Sequence, residues 1–138
     1  MSYAQMAAHN SLLNTPPVFA IYVAGLVAQY LLAQGGLAAA EARNREKAAL
    51  LYTAIDNSEG FYRGWAQPES RSCMNVTFRL PTPALEKCFI TESTNAGLIG
   101  LAGHRTVGGI RASLYNAVSL EAVHTLIEFM EDFQRRYA

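Results

Sequence analysis

At 138 residues, with 51% hydrophobic and 16% charged side chains, the chain is long enough to bury the core of one ordinary domain. Its 11 basic and 11 acidic residues cancel, which excludes the electrostatic footprint of a nucleic-acid binder or of a protein held on an anionic membrane. Cys73 and Cys88 show neither metal-ligand spacing nor a disulfide framework, so both are expected to be packing residues in a reducing, cytoplasmic setting, with no metal site.

Residues 1–13 have no clean apolar period and lack the basic start, apolar core and small-residue cleavage site of a signal peptide; an irregular lead-in is expected. Asn14-Thr15-Pro16-Pro17 reads as a helix start, because Asn or Thr can cap free N–H groups and proline is accepted in the first turn. A helix over 18–34 should follow. Its apolar run is shorter than the roughly 20 residues that cross a bilayer, so it is expected to be buried against more than one partner, not to span a membrane. Gly35-Gly36 stops it.

A second helix is predicted over 37–56, with Ala39, Ala42, Leu50, Tyr52 and Ile55 packed and Glu41, Arg43, Arg45, Glu46 and Lys47 on a solvated face. Residues 61–72 read as a polar, turn-rich link in which Trp65 packs. Alternation over 74–80 predicts a strand with one buried face. Thr82 and Pro83 can then open a helix to about Asn95, with Leu85, Cys88 and Phe89 inward. Short strands are predicted at 98–101 and 110–115. Ser119 caps a last amphipathic helix whose stripe is Leu120, Val123, Leu126, Ile127, Met130 and Phe133. Strand, helix, strand, strand, helix from Asn75 onward implies an α+β fold, a small sheet with helices on one face. The two early helices are excess to that unit, and their apolar surface asks for a partner that can lie outside the chain.

Between the last two strands, Gly103-His104-Arg105-Thr106-Val107-Gly108-Gly109-Ile110-Arg111-Ala112-Ser113 sets one imidazole and two guanidinium groups among glycines. Arginine offers planar, bidentate donors, and glycine lets backbone N–H groups approach an oxyanion, so the stretch suits a small molecule carrying a phosphate and a carboxylate. A surface turn with three solvated cations is the competing reading. His124 sits mid-helix without an i+4 partner for a metal, and His9 matches no site.

This stretch, together with Asn14-Thr15-Pro16-Pro17, Arg71-Ser72-Cys73-Met74-Asn75-Val76 and Tyr115-Asn116-Ala117, resembles the C-terminal part of the phosphoserine aminotransferase family. The four segments occur in register, and the similarity runs over residues 3–136. The resemblance implies the small C-terminal domain of a fold-type I aminotransferase over 37–138, preceded over 1–36 by a lead-in and a long inter-domain helix that joins a cofactor domain. It implies a pyridoxal 5'-phosphate-dependent homodimer that converts O-phospho-L-serine and 2-oxoglutarate to 3-phosphohydroxypyruvate and L-glutamate, for serine and in some bacteria pyridoxine biosynthesis. His104 and Arg105 match the residues that bind the substrate phosphate or the distal carboxylate of glutamate, and Arg111 matches the arginine on the α-carboxylate. Asn14 and Thr15 match positions that reach the cofactor phosphate of the neighbouring subunit.

The same resemblance implies that the Schiff-base lysine lies upstream of the matched region, so no catalytic residue is expected here and the chain alone should be inactive. Lys47 and Lys87 both read as surface lysines. Two positions depart from the family: Thr77 stands where proline is frequent, which should loosen an edge strand, and Ala102 replaces a frequent lysine beside the anion site. A related serine or alanine aminotransferase, or a non-catalytic interaction module that buries the apolar helix, are the alternatives.

Overall fold

The computed structural model describes residues 2–138. They fall into two compact units, one ending at Ala40 and the other running over Glu41–Ala138. The first holds α1 (Tyr3–Ala8), α2 (Val18–Ala33) and the start of α3 (Gly36–Asp56). The expected irregular lead-in thus contains a short helix. Helix α2 begins where the sequence places it, but Pro17 is its N-cap and no side chain caps it. The Val18 N–H turns back to the Pro16 carbonyl at 2.7 Å, so the two prolines move the helix start beyond Asn14 and Thr15, which do not cap it as expected. Gly35 (φ +95°) and Gly36 (φ +70°) then end α2, and a Cβ at Gly35 would come within 2.8 Å of the Ala39 Cβ.

Helix α2 departs from its expected burial. It contains no buried residue; Phe19 is 80% and Leu32 71% exposed. A helix apolar on every side needs neighbours on several sides, and among the described residues none covers it. No single described helix is long and apolar enough to cross a membrane.

The second unit is the predicted α+β arrangement. Strands β1 (Arg63–Gly64), β2 (Asn75–Arg79), β3 (Ala102–His104) and β4 (Gly108–Ser113) form an antiparallel sheet in the order β1-β2-β4-β3. Along β2, Val76 and Phe78 are buried while Asn75, Thr77 and Arg79 alternate with them; along β4, Ile110 and Ala112 are buried and Arg111 and Ser113 alternate. The buried face meets Leu51 and Ile55 of α3, Phe89 of α4 (Pro83–Asn95) and Val123, Leu126, Met130 and Phe133 of α5 (Leu120–Tyr137). Phe89 stands edge-on to Phe78 and Phe133 at 6.0 and 5.1 Å between ring centres, a geometry worth about 0.5 to 1.5 kcal/mol per pair beyond burial. Both predicted caps form: Thr82 Oγ1 accepts from the Leu85 N–H and Ser119 Oγ from the Ala122 N–H.

Three expectations are corrected in this unit. The stretch 61–72 is more than a link, since Phe61 and Tyr62 are core residues, the Tyr62 hydroxyl donates to the Met130 carbonyl at 2.8 Å, and Arg63–Gly64 forms a strand. The third strand lies at 102–104, not 98–101. Gly97 (φ +85°) and Gly100 (φ +82°) both take left-handed backbone, so extended geometry resumes only after Gly100. Finally, Thr77 does not lie on an edge strand: β2 runs between β1 and β4, with the Thr77 carbonyl accepting from the Trp65 N–H and Thr77 paired to Arg111.

Candidate functional site

The Gly103–Ser113 stretch folds as the β3–β4 hairpin, and each of its glycines has a distinct job. A Cβ at Gly103 would run into the carbonyl oxygen of Gly108 on the paired strand. Gly108 (φ +76°) and Gly109 (φ +74°) occupy left-handed backbone, and a Cβ at Gly109 would also lie 2.6 Å from Arg79 Cδ. The hairpin closes tightly, with the Val107 N–H on the His104 carbonyl at 2.9 Å. That turn leaves Arg105 exposed at its tip.

On the sheet face away from the core lies a cavity of about 220 Å³, lined among others by Trp65, Thr77, Arg79, His104 and Arg111. The structure therefore brings His104 and Arg111 to one pocket, while Arg105 projects from the turn next to His104 and outside the lining. Within the turn, His104 Nδ1 lies 2.7 Å from Thr106 Oγ1 and accepts from the Thr106 N–H at 3.3 Å, which leaves Nε2 to donate outward. The Arg111 guanidinium is half-buried and its Nε, fully buried, has no hydrogen-bond partner. Among the described residues no carboxylate pairs with Arg111. A buried guanidinium nitrogen left without an acceptor is costly, and an anion in the pocket would relieve that cost.

Arg79, which lies outside the glycine-rich stretch, explains why only one of the pocket's two arginines is free for a ligand. Its Nε donates to Glu86 Oε1 at 2.5 Å and its Nη2 to Oε2 at 3.3 Å, so buried Glu86 in the first turn of α4 neutralises it. Its Nη1 donates to the Val107 carbonyl at 3.2 Å and so braces the turn that carries His104 and Arg105. The signal in the sequence was an acidic residue in the first turn of a helix seven positions after a strand-end arginine.

Of the two lysines expected at the surface, one is placed otherwise. Lys47 is buried, not on a wet face, and its Nζ donates to the carbonyls of Leu114, Tyr115 and Val118 at 2.9 to 3.0 Å. Burial lowers its pKa, with the nearby Arg43 charge adding to the effect. All three ammonium donors are spent on backbone, which does not fit a lysine that bonds covalently to a carbonyl cofactor. Lys87 is exposed on α4. One helical turn before Lys47, Asn44 Nδ2 donates to Asn116 Oδ1 at 2.8 Å, so α3 fixes the segment after β4 at two points.

Most of the remaining residues that the sequence marks are surface groups. Asn14 and Thr15 are exposed in the stretch before α2; His124 is exposed on α5; His9 Nδ1 lies 2.9 Å from the Gln5 carbonyl. Trp65 does not pack as expected but stands 64% exposed at the cavity. Both cysteines are free, half-buried and packed against the core. Among the described residues no group of three or more His, Cys, Asp or Glu is placed to hold a metal ion.

Comparison with known proteins adds the family. Residues 1–126 match the family model described as aminotransferase class-V. The phosphoserine aminotransferases of Geobacillus kaustophilus and Lysinibacillus sphaericus are each 54% identical, over 100% and 99% of this chain and 38% of their own length. Among solved structures, the phosphoserine aminotransferase of Bacillus circulans subsp. alkalophilus matches 99% of this chain and 38% of its own, with a TM-score of 0.92 at 49% identity. A pyridoxal-phosphate-bound phosphoserine aminotransferase from Trichomonas vaginalis matches 94% of this chain and 37% of its own, with a TM-score of 0.84 at 40% identity. The chain spans 38% of the length of the first two curated relatives. With the hairpin, the cavity and these matches together, the chain belongs to the class-V aminotransferase family, and it is similar along its length to phosphoserine aminotransferases.

Proposed function

We propose that this chain supplies the substrate-anion side of a phosphoserine aminotransferase. Arg111 takes the α-carboxylate, and His104 with Arg105 takes the phosphate of O-phospho-L-serine or the distal carboxylate of glutamate. The observation that carries this reading is the buried, partnerless Nε of Arg111 in a cavity shared with His104. A fixed guanidinium there orients the bound amino acid through two parallel hydrogen bonds, and a second anion site on the hairpin sets which end of the ligand lies where.

Asn14 and Thr15, exposed and not used as caps, serve as contacts to the cofactor phosphate of a neighbouring subunit in a homodimer. The whole protein exchanges the amino group between O-phospho-L-serine with 2-oxoglutarate and 3-phosphohydroxypyruvate with L-glutamate, and serves serine biosynthesis. This chain by itself performs no turnover, because Lys47 is committed to three carbonyls and Lys87 lies in water.

Calorimetric titration tests the reading. O-phospho-L-serine should bind more tightly than L-serine, His104→Ala and Arg105→Ala should erase that difference, and the same samples given pyridoxal phosphate and 2-oxoglutarate should make no glutamate. Equal affinity for the two ligands, or sustained glutamate production, contradicts it.

A further inference from the structure

The chain's single tryptophan, Trp65, stands outside the core. Its place follows from strand register. The Trp65 N–H donates to the Thr77 carbonyl at 3.1 Å, continuing the β1–β2 ladder, and Thr77 pairs with Arg111 across β2 and β4. Trp65, one residue past β1, thus forms one row with Thr77 and Arg111, on the face opposite the core. Trp65 and Arg111 line the same cavity of about 220 Å³, and His104 enters it from β3, on the far side of Arg111. The indole N–H has no partner among the described residues.

We propose that Trp65 is a positioning and specificity-determining residue for the anion held by Arg111. Its indole walls the β1 side of the pocket, so the guanidinium–carboxylate pair forms where bulk water and counter-ions reach it from fewer sides. Attraction between the two charges is then screened less than at an open surface. The wall also leaves a ligand one way to extend, toward β3, which favours molecules whose second anion lies on the His104 side. This inference rests on the reading that Arg111 binds a carboxylate.

The test is titration of the 138-residue chain with O-phospho-L-serine at low and at high salt, by calorimetry, with Trp65 fluorescence as a second readout for the unaltered chain. Ligand should change the Trp65 emission. Trp65→Ala should weaken binding by about tenfold, the step from a shielded to a surface ion pair, and steepen its loss with salt. Trp65→Phe, which keeps an aromatic wall, should stay within about twofold of the parent. Unchanged affinity and salt dependence in Trp65→Ala, while Arg111→Met abolishes binding, overturns the role of Trp65 and leaves the carboxylate reading intact. Trp65→Phe as weak as Trp65→Ala also overturns it. Undiminished binding by Arg111→Met, or no binding by the unaltered chain, overturns the carboxylate reading itself.

Discussion

Arg79 and Arg111 line one cavity and carry the same charge, yet their surroundings assign them opposite roles. Removing Arg79 strands Glu86, a buried carboxylate with no other cation on it among the described residues, so Arg79→Met should lower stability in urea by about 3 kcal/mol. Removing Arg111 takes away a buried donor that has no partner, so Arg111→Met should leave stability unchanged or raise it by up to about 1 kcal/mol while binding is lost. A loss as large as that of Arg79→Met would make Arg111 a structural residue. That His104 and Arg111 would come to one place was legible in the sequence, because glycines at that spacing between them mark a tight turn; their binding of an anion is the proposal. Arg79 was not, since its partner lies across a turn in another element. The burial of Lys47 is hidden in the sequence for a different reason. Asn44, Lys47, Ala48, Leu51 and Ile55 follow helical spacing and form the inward face of α3, but the polar identity of the first two hid the pattern among Glu41, Arg43, Arg45 and Glu46.

Helix ends and helix contacts decide the next level. The chain's last turn is tied to α4: Glu92 Oε1 accepts from the Tyr137 hydroxyl at 2.6 Å and Glu92 Oε2 pairs with Arg136 at 2.7 Å. Hydrogen bonding from Arg136, and next from Tyr137, holds the Glu92 pKa down at about 2 against an ordinary 4.5. Because the folded value lies below the unfolded one, this tie contributes in full above pH 4.5 and fades as pH falls toward 2. Glu92→Gln should therefore flatten the fall of the urea midpoint across that window, and an undiminished slope would assign the acid sensitivity to other carboxylates. Helices α4 and α5 were readable from their caps and apolar stripes. Strand β1 was not, because two residues carry no period, and β3 was displaced because the left-handed angles of Gly97 and Gly100 are invisible to a hydrophobicity pattern.

For the molecule as a whole, the α+β class of the second unit followed from element order, since strands and helices in that sequence have few ways to cover an apolar sheet face. The setting of α2 did not. An all-round apolar helix reads as buried, and the sequence of one chain does not say where its neighbours come from; Phe19 and Leu32 stand open among the described residues. The match to 38% of the curated relatives' length fits the proposal that this chain holds one side of a site rather than a whole one. That proposal is tested most directly by a nuclear magnetic resonance titration of the amide-labelled chain with O-phospho-L-serine. Shifts concentrated in the Gly103–Ser113 hairpin and the Trp65 indole, and lost in Arg111→Met, are the predicted result. Shifts confined to other parts of the chain, or the same shifts in Arg111→Met, would contradict it.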